Sequence, residues 1–249
     1  MRFKEKVVLI TGGSTGIGRA TALAFAREGA SVMIGDVDNS AAEVVQTIVA
    51  AGGVAYFQRC NVSDGAQVDD LVQQCVGRFG GLHAAFNNAG ILPTTKLFHE
   101  ADGDEFDRVI AVDVKGVFNA MKAEIRHMLN NGGGAIVNTA SVAGVIADPG
   151  MAAYVAAKHA VVGLTKAAAI EYARNDIRVN AIAPGLVDTP MTSRWLADPA
   201  FREMFFAASP IGRAAKPEEI AGTVLHLCSD AASFTNGQIA IIDGGQTSH

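Results

Sequence analysis

Cysteine and proline are scarce in this sequence. Its 249 residues include three cysteines, Cys60, Cys75 and Cys228, which are odd in number and lack C-x-x-C spacing. They suggest neither a disulfide framework nor a zinc site, and we expect reduced thiols in a cytoplasmic protein. Seven prolines stand against 27 glycines, which favours tight turns over a disordered linker.

A strong excess of charge and long apolar runs are also missing. The net charge is −5 without a cluster of lysine and arginine, so nothing indicates binding to nucleic acid or to an acidic membrane. The opening MRFKEKVVLI has an apolar run too short for a secretory segment, and longer apolar stretches are interrupted by charge. The six histidines include neither H-E-x-x-H nor a close pair, and no metal site is predicted. We expect a soluble, untargeted protein with a small-molecule substrate.

What the chain does contain is an alternation of strand-length apolar runs with segments of helical period. The predicted strands lie at 6–11, 31–36, 54–60, 83–88, 134–140, 177–183 and 239–244. The predicted helices lie near 16–28, 40–51, 64–79, 104–130, 152–173 and 217–229, the third with Ser63 and Asp64 as candidate N-caps. Several strands are apolar on both faces, which is typical of parallel strands covered by helices. The pattern predicts one α/β domain over 1–249, a doubly wound sheet with helices on both faces.

The first predicted strand ends in a glycine-rich turn, TGGSTGIG at 11–18. Gly12 can make the tight turn, while Gly16 and Gly18 let the backbone approach a pyrophosphate at a helix N-terminus. The second strand ends in Asp36, a carboxylate that can accept hydrogen bonds from both adenosine ribose hydroxyls. The alternatives are a turn that only packs helix against strand and an ordinary strand-end aspartate. Dinucleotide binding is favoured because strand, turn and helix follow in the required order.

A second motif is AYVAAK, in which Tyr154 precedes Lys158 by four positions. On a helix these side chains share a face. A free phenol is a poor base at neutral pH, but a nearby cation stabilises phenolate. We expect Lys158 to lower the pKa of Tyr154 and make it usable for proton transfer. The spacing alone occurs often by chance.

Six motifs in order now carry a resemblance. They are TGGSTGIG, NNAG (87–90), NTAS (138–141), YVAAK, PGLVDT (184–189) and IDGG (242–245). From end to end the chain resembles the short-chain dehydrogenase/reductase family, in its NAD(P)-dependent branch of similar length. The resemblance implies a seven-stranded Rossmann sheet and a catalytic trio of Ser141, Tyr154 and Lys158.

The resemblance also implies where the cofactor lies. Asn61 and Val62 would border the adenine, and Val187 and Thr189 would hold the nicotinamide carboxamide. The ribose side would be lined by Asn88, Ala89 and Gly90. Further cofactor contacts are implied at Ser14, Thr15, Ile17, Val37, Pro184 and Gly185, and at Tyr154 and Lys158 themselves.

One position departs from the family pattern. In AVDVKG the residue is Asp113, where the family usually has an asparagine whose backbone carbonyl holds a water of the proton relay from the lysine. Because the relay uses the backbone, we expect it to survive the change and count Asp113 with the catalytic group. An ionised Asp113 would, however, compete for Lys158.

The chemistry follows from these residues. Oxidation of a secondary alcohol needs a base, a hydride acceptor and donors that hold the oxygen. Tyr154 can be the base, Ser141 can bind the substrate oxygen or be a simple turn residue, and Lys158 can bind ribose hydroxyls. We predict an NAD-dependent enzyme that interconverts a secondary alcohol and a ketone of mainly apolar character.

The sequence leaves two alternative functions open and bears on the oligomeric state. A 3-oxoacyl-thioester reductase would favour NADPH and cations near the turn, where this chain has Ser14, Thr15, Asp36 and Val37. A non-catalytic dinucleotide sensor would not need the catalytic trio. The segment 191–213 is either a substrate lid or a surface helix packed on the core. The resemblance implies a homotetramer.

Overall fold

The computed structural model describes residues 1–248, and their strands form one parallel sheet. The strands are β1 (Val7–Thr11), β2 (Ser31–Asp36), β3 (Val54–Arg59), β4 (Ala84–Asn87), β5 (Gly134–Thr139), β6 (Ile177–Pro184) and β7 (Ile239–Ile242). They lie in the order β3-β2-β1-β4-β5-β6-β7, and every neighbouring pair is parallel. Parallel neighbours need crossover connections, which the helices supply. The seven-stranded, doubly wound Rossmann architecture is confirmed.

Helices cover both faces of this sheet. They are α1 (Gly16–Arg27), α2 (Ala41–Ala50), α3 (Gly65–Phe79), α4 (Gly103–Val109), α5 (Gly116–Met128), α6 (Ala152–Tyr172), α7 (Ser193–Ala197), α8 (Pro199–Ala208) and α9 (Pro217–Cys228). Val7 and Leu9 of β1 face the core layer of α3, α5 and α6, whereas Val8 and Ile10 face that of α1, α2 and α9. This alternation follows from the two-residue period of a strand, and it makes central strands apolar on both sides.

The helix predicted over 104–130 forms over 103–128, but it is not α-helical throughout. The segment consists of α4, a π-helical turn at Ile110–Lys115, and α5. The apolar period continues through the turn, so the sequence pattern contains no sign of the change to π-helical hydrogen bonding. Turns of this kind are often found at functional sites, and this one carries Asp113. The N-cap of α3 is Asp64 rather than Ser63, because the Asp64 carboxylate accepts the Ala66 N–H at 2.9 Å.

A buried polar network crosses the layer beneath α5 and α6. Asn87 Nδ2 lies 3.0 Å from both Glu124 Oε2 and Asn138 Oδ1, and Asn138 Nδ2 donates to Thr165 Oγ1 at 3.0 Å. Glu124 is fully buried without a cation as partner among residues 1–248. Burial therefore raises the pKa of Glu124 to about 7.

Two further properties concern the chain as a whole. Within residues 1–248, no helix has both the length and the apolar character that crossing a membrane requires. Cys60, Cys75 and Cys228 are buried and lie outside any disulfide among these residues.

Candidate active site

The carboxyl ends of the strands open into a cleft at the point where the strand order reverses. β1 pairs with β2 on one side and with β4 on the other, and such a switch point is where doubly wound sheets bind ligands. The cleft is lined by most of the site residues expected from the sequence: Gly12, Ser14, Thr15, Gly16, Ile17, Asp36, Asn88, Gly90, Asp113, Ser141, Tyr154, Lys158, Pro184, Gly185, Val187 and Thr189.

The glycine turn after β1 is tightly built. Gly12 has φ of +67°, and a Cβ there would lie 2.8 Å from the Cα of Ala89. A Cβ on Gly18 would lie 2.0 Å from the carbonyl oxygen of Gly12. Both glycines are therefore required for the turn to pack against the end of β4 and against its own helix.

The same turn leaves the N-terminus of α1 available to an anion. Thr15 is the N-cap, but within the described residues its side chain makes no capping hydrogen bond, and the first turn of α1 has no acidic residue. The first N–H groups of the helix thus point toward the cleft without a side-chain acceptor, and the helix dipole favours negative charge there. These residues fit the pyrophosphate of a dinucleotide.

Asp36 connects this turn to the end of β2. Its Oδ2 accepts the Ser14 N–H at 2.9 Å and its Oδ1 accepts the Asp38 N–H at 3.0 Å. Each carboxylate oxygen keeps a further lone pair for a ribose hydroxyl. The side chain is held rigidly by two backbone donors at the rim of the cleft, where the sequence analysis placed it.

Arg59 also lies near this rim, and sequence reasoning missed it. The residue pairs in register with Asp36 across β2 and β3, and its Nε donates to the carbonyl oxygen of Val37 at 3.3 Å. An arginine at the end of a third strand has no motif around it, so only the strand register reveals its position. It places a cation next to the acidic end of the cofactor cleft.

The three residues expected to be catalytic come together from the end of β5 and from α6. Ser141 follows β5, and its Oγ accepts the Ala143 N–H at 3.2 Å, so it also caps the short 3₁₀ turn that begins there. Tyr154 and Lys158 lie one turn apart on α6, with Lys158 Nζ 5.2 Å from the centroid of the Tyr154 ring. The structural role of Ser141 does not exclude the catalytic one, because the hydroxyl proton remains free to be donated.

Lys158 is held by two acceptors. Its Nζ donates to the Thr139 carbonyl oxygen at 3.0 Å and lies 3.0 Å from Asp113 Oδ2. Asp113 Oδ1 accepts the Ile91 N–H at 2.8 Å. The carboxylate of Asp113 is therefore aimed at Lys158, which is the competition for the lysine that an ionised Asp113 was expected to bring, while the backbone relay through this residue stays a prediction.

The protein's own groups do not lower the pKa of Tyr154 as expected. Burial raises it, Lys158 lowers it, Asp113 raises it, and Ser141 and the more weakly acting Asp148 oppose each other, with a net rise. Burial alone lowers the pKa of Lys158, but Asp113 and Tyr154 outweigh this and raise it. Lys158 and Ser141 lower the phenol pKa as expected, but burial and the Asp113 charge outweigh them among the protein's own groups.

Five of the expected cofactor residues lie outside the cleft lining: Gly18, Val37, Asn61, Val62 and Ala89. Gly18 and Ala89 both pack against Gly12 of the glycine turn. Asn61 is exposed, and its Oδ1 accepts from Ser63 N and Oγ. Val62 is buried beneath α5. Their contact with an adenine stays a prediction.

The segment 191–213 begins at the wall of the cleft. Met191 and Thr192 line the cleft, as do Thr139, Ala140 and Pro190, which sequence reasoning did not single out. Trp195 stacks on Phe201 with ring centroids 5.6 Å apart, and Arg194 donates to the Pro93 carbonyl oxygen at 3.1 Å. The aromatic rings pack on one another and belong to neither core layer.

A doubly wound sheet with a dinucleotide cradle beside a serine, a tyrosine and a lysine defines a nicotinamide-dependent oxidoreductase. Comparison with known families is more specific. A family model described as "Enoyl-(Acyl carrier protein) reductase" matches residues 12–247. The chain belongs to the short-chain dehydrogenase/reductase family, as the resemblance implied.

Similar proteins cover the whole chain. Cyclohexanol dehydrogenase of Acinetobacter sp. (strain SE19) is 46% identical over 99% of this chain and 97% of its own length. Cis-4-hydroxycyclohexanecarboxylate dehydrogenase of Sinomonas cyclohexanicum is 43% identical over 98% of each chain. The crystal structure of levodione reductase superposes with a TM-score of 0.95, at 41% identity and 99% coverage of each chain.

Two other matches bear on the alternatives. The 3-oxoacyl-[acyl-carrier-protein] reductase FabG of Thermotoga maritima is 42% identical over 98% of this chain and 99% of its own length. The structure of a gluconate 5-dehydrogenase from Burkholderia cenocepacia, in complex with NADP and tartrate, has a TM-score of 0.95 at 34% identity, covering 100% of this chain and 98% of its own.

Proposed function

We propose that this protein transfers a hydride between NAD(H) and a secondary alcohol or ketone of mainly apolar, alicyclic character. The observation that carries the proposal is the convergence of Ser141, Tyr154 and Lys158 on a cleft built for a dinucleotide. The alicyclic substrate class is supported by the names of two relatives, which act on cyclohexanol and on a hydroxycyclohexanecarboxylate. The apolar side chains of the segment 191–213 support a substrate with little charge.

In alcohol oxidation Tyr154 removes the hydroxyl proton, and in ketone reduction it returns that proton to the carbonyl oxygen. Ser141 Oγ donates a hydrogen bond to the same oxygen in both directions. Lys158 binds a ribose hydroxyl with the one donor that Thr139 and Asp113 do not engage, and its charge favours phenolate. The dinucleotide supplies or accepts the hydride.

The proposal is tested with purified protein, a panel of secondary alcohols and the corresponding ketones, and NADH absorbance as the readout. Cyclohexanol and ring-substituted cyclohexanols should be oxidised more efficiently than open-chain alcohols of equal carbon number. Tyr154→Phe protein from the same purification is the control for contaminating activity. Absence of turnover with every alcohol and ketone, although NADH binds, would favour the dinucleotide sensor instead.

A 3-oxoacyl-thioester reductase is the second candidate, and the match to FabG of Thermotoga maritima is the observation in its favour. Such an enzyme should reduce an acetoacetyl thioester better than cyclohexanone. We expect the reverse order, because the acidic Asp36 lies where NADPH-dependent reductases usually carry cations.

The proposal also covers the choice of cofactor, the oligomeric state, the role of the segment 191–213 and the location of the protein. We propose that the protein uses NAD in preference to NADP, because the Asp36 carboxylate would repel a 2′-phosphate.

We propose that the protein is a homotetramer. The exposed apolar side chains of Phe118 on α5 and Ile170 on α6 support this, and light scattering measures it. The segment 191–213 is proposed as a substrate lid, and the buried free thiols fit a cytoplasmic location.

A further inference from the structure

Asp113 makes a buried ion pair with a lysine of the catalytic trio. Its side chain is 0% exposed and that of Lys158 is 3% exposed, and their charged atoms are 3.0 Å apart. Asp113 Oδ1 is held by the Ile91 N–H, whereas Oδ2 receives no hydrogen bond of good geometry from any residue in 1–248. The attraction to Lys158 is therefore what compensates Oδ2.

This pair changes the net charge of the site. With Asp113 and Lys158 both ionised, a site with neutral Tyr154 carries no net charge, and loss of the phenol proton leaves one buried negative charge. With asparagine at position 113, the same proton loss would take the site from one positive charge to none. A buried site resists net charge, so the aspartate makes the phenol proton harder to remove.

Within residues 1–248, four side chains act on the ionisation of the Tyr154 phenol. Lys158 faces Tyr154 from α6, Asp113 from the π-helical turn, Ser141 from the end of β5 and Asp148 from the loop before α6. Lys158 and Ser141 favour phenolate, and the two carboxylates oppose it. Asp113 acts more strongly than Asp148, in keeping with its direct contact with Lys158.

We propose that Asp113 is a positioning residue whose carboxylate, by engaging Lys158, keeps the proton on Tyr154 at neutral pH and so adapts the site to ketone reduction. In that direction the hydride from the reduced nicotinamide forms the new C–H bond, and the Tyr154 proton forms the O–H bond. The ketone is reduced and the dinucleotide is oxidised. The inference rests on the proposed function for its kinetic consequence, but the state of the Tyr154 proton can be measured without cofactor or substrate.

The first experiment is a titration of the cofactor-free protein labelled with ¹³C at tyrosine Cζ. The chain has three tyrosines, and loss of one signal in Tyr154→Phe assigns the site. Asp113→Asn should move the Tyr154 titration to lower pH, and Asp148→Asn, the matched control, should move it less. If Asp113→Asn does not fold, Asp113→Ala removes the same charge and serves in its place. An unmoved titration, or one moved to higher pH, would overturn the proposal.

The second experiment compares pH profiles of kcat/KM in both directions. Asp113→Asn should raise alcohol oxidation at pH 7 about tenfold relative to its plateau at high pH, which corresponds to a one-unit displacement of the profile. Ketone reduction at pH 6 should stay within about threefold of wild type, because Tyr154 is protonated in both proteins. Equal losses in both directions with an unmoved profile would mean that Asp113 only supports the structure. If no substrate is turned over, the proposed function fails, while the tyrosine titration still decides the role of Asp113.

Discussion

Lys158 Nζ lies 5.2 Å from the centroid of the Tyr154 ring, one turn further along α6. At this separation the lysine influences the phenol through its charge, since its shortest polar contacts are to Thr139 and Asp113. The group proposed to transfer the proton, Tyr154, and the group that tunes it, Lys158, can therefore be changed separately by mutation.

Tyr154→Phe should abolish turnover and leave the fold intact. The substitution removes only the hydroxyl, and the ring keeps its packing. General acid–base catalysis contributes about 10²–10⁴-fold, so kcat should fall by at least that order, while NADH binding measured by fluorescence stays close to wild type. Tyr172→Phe, at the far end of the same helix, is the control. Retention of more than about a tenth of kcat, a barrier change of only about 1.4 kcal/mol, would contradict the assignment.

Lys158→Met should weaken both stability and NADH binding. It leaves the Asp113 carboxylate buried without its cation, and breaking such a pair from one side costs about 3–5 kcal/mol. Adding Asp113→Asn should recover much of this loss, because the uncompensated charge is gone. Urea unfolding of both proteins measures the recovery. If the double variant is no more stable than Lys158→Met, the ion pair is not what the lysine stabilises.

Asp36 should set the preference for NAD. A 2′-phosphate about 4 Å from its carboxylate would meet a repulsion of about 4 kcal/mol at an effective dielectric of 20, an upper value because water and ions intervene. Asp36→Ala should lower kcat/KM with NAD and raise it with NADP, where Arg59 becomes the nearest charge. Asp38→Ala, an exposed carboxylate two residues on, should change neither. Equal efficiency of the wild type with NAD and NADP would show that Asp36 does not face the 2′-position.

The lid proposal concerns Trp195, which stacks on Phe201 outside both core layers. Trp195→Ala should change KM or substrate range more than melting temperature, because few core contacts are lost. Kinetics with cyclohexanols of increasing size and thermal unfolding are the two measurements. A large fall in melting temperature with unchanged kinetics would identify α7 and α8 as structural.

The positions of the strands and of the glycine turn could be predicted from the sequence, because each depends on local pattern and chain order. The same holds for the placement of Asp36, Ser141, Tyr154 and Lys158 at one cleft. The sequence was not sufficient at the π-helical turn, where the apolar period continues unbroken and only the approach of Asp113 to Lys158 reveals the change. Arg59 was not predicted to lie near the cleft for a related reason, since its closeness to Asp36 depends on the register of β2 and β3. The rise in the pKa of Tyr154 depends on burial, which follows from tertiary packing and not from the spacing of two residues.

Glu124 should make the stability depend on pH. Burial raises its pKa from the ordinary glutamate value of 4.5 to about 7, so between these values the folded state binds more protons than the unfolded state and stability falls as pH rises. The protonated Glu124 carboxyl contributes about 3 kcal/mol to the stability of the fold, at about 1.36 kcal/mol per pH unit between the two pKa values. This contribution is fully present below the unfolded pKa and is lost above the folded pKa. Glutamine cannot ionise. The free energy of unfolding of Glu124→Gln should therefore decline less than that of the wild type between pH 5 and pH 8, about the range in which a buried carboxyl of this kind titrates.

The control is Glu43→Gln, which changes an exposed glutamate on α2. All proteins are compared at one concentration, because assembly also contributes to stability. Parallel pH curves for Glu124→Gln and the wild type would mean that the Asn87 hydrogen bond already keeps Glu124 ionised in the folded protein.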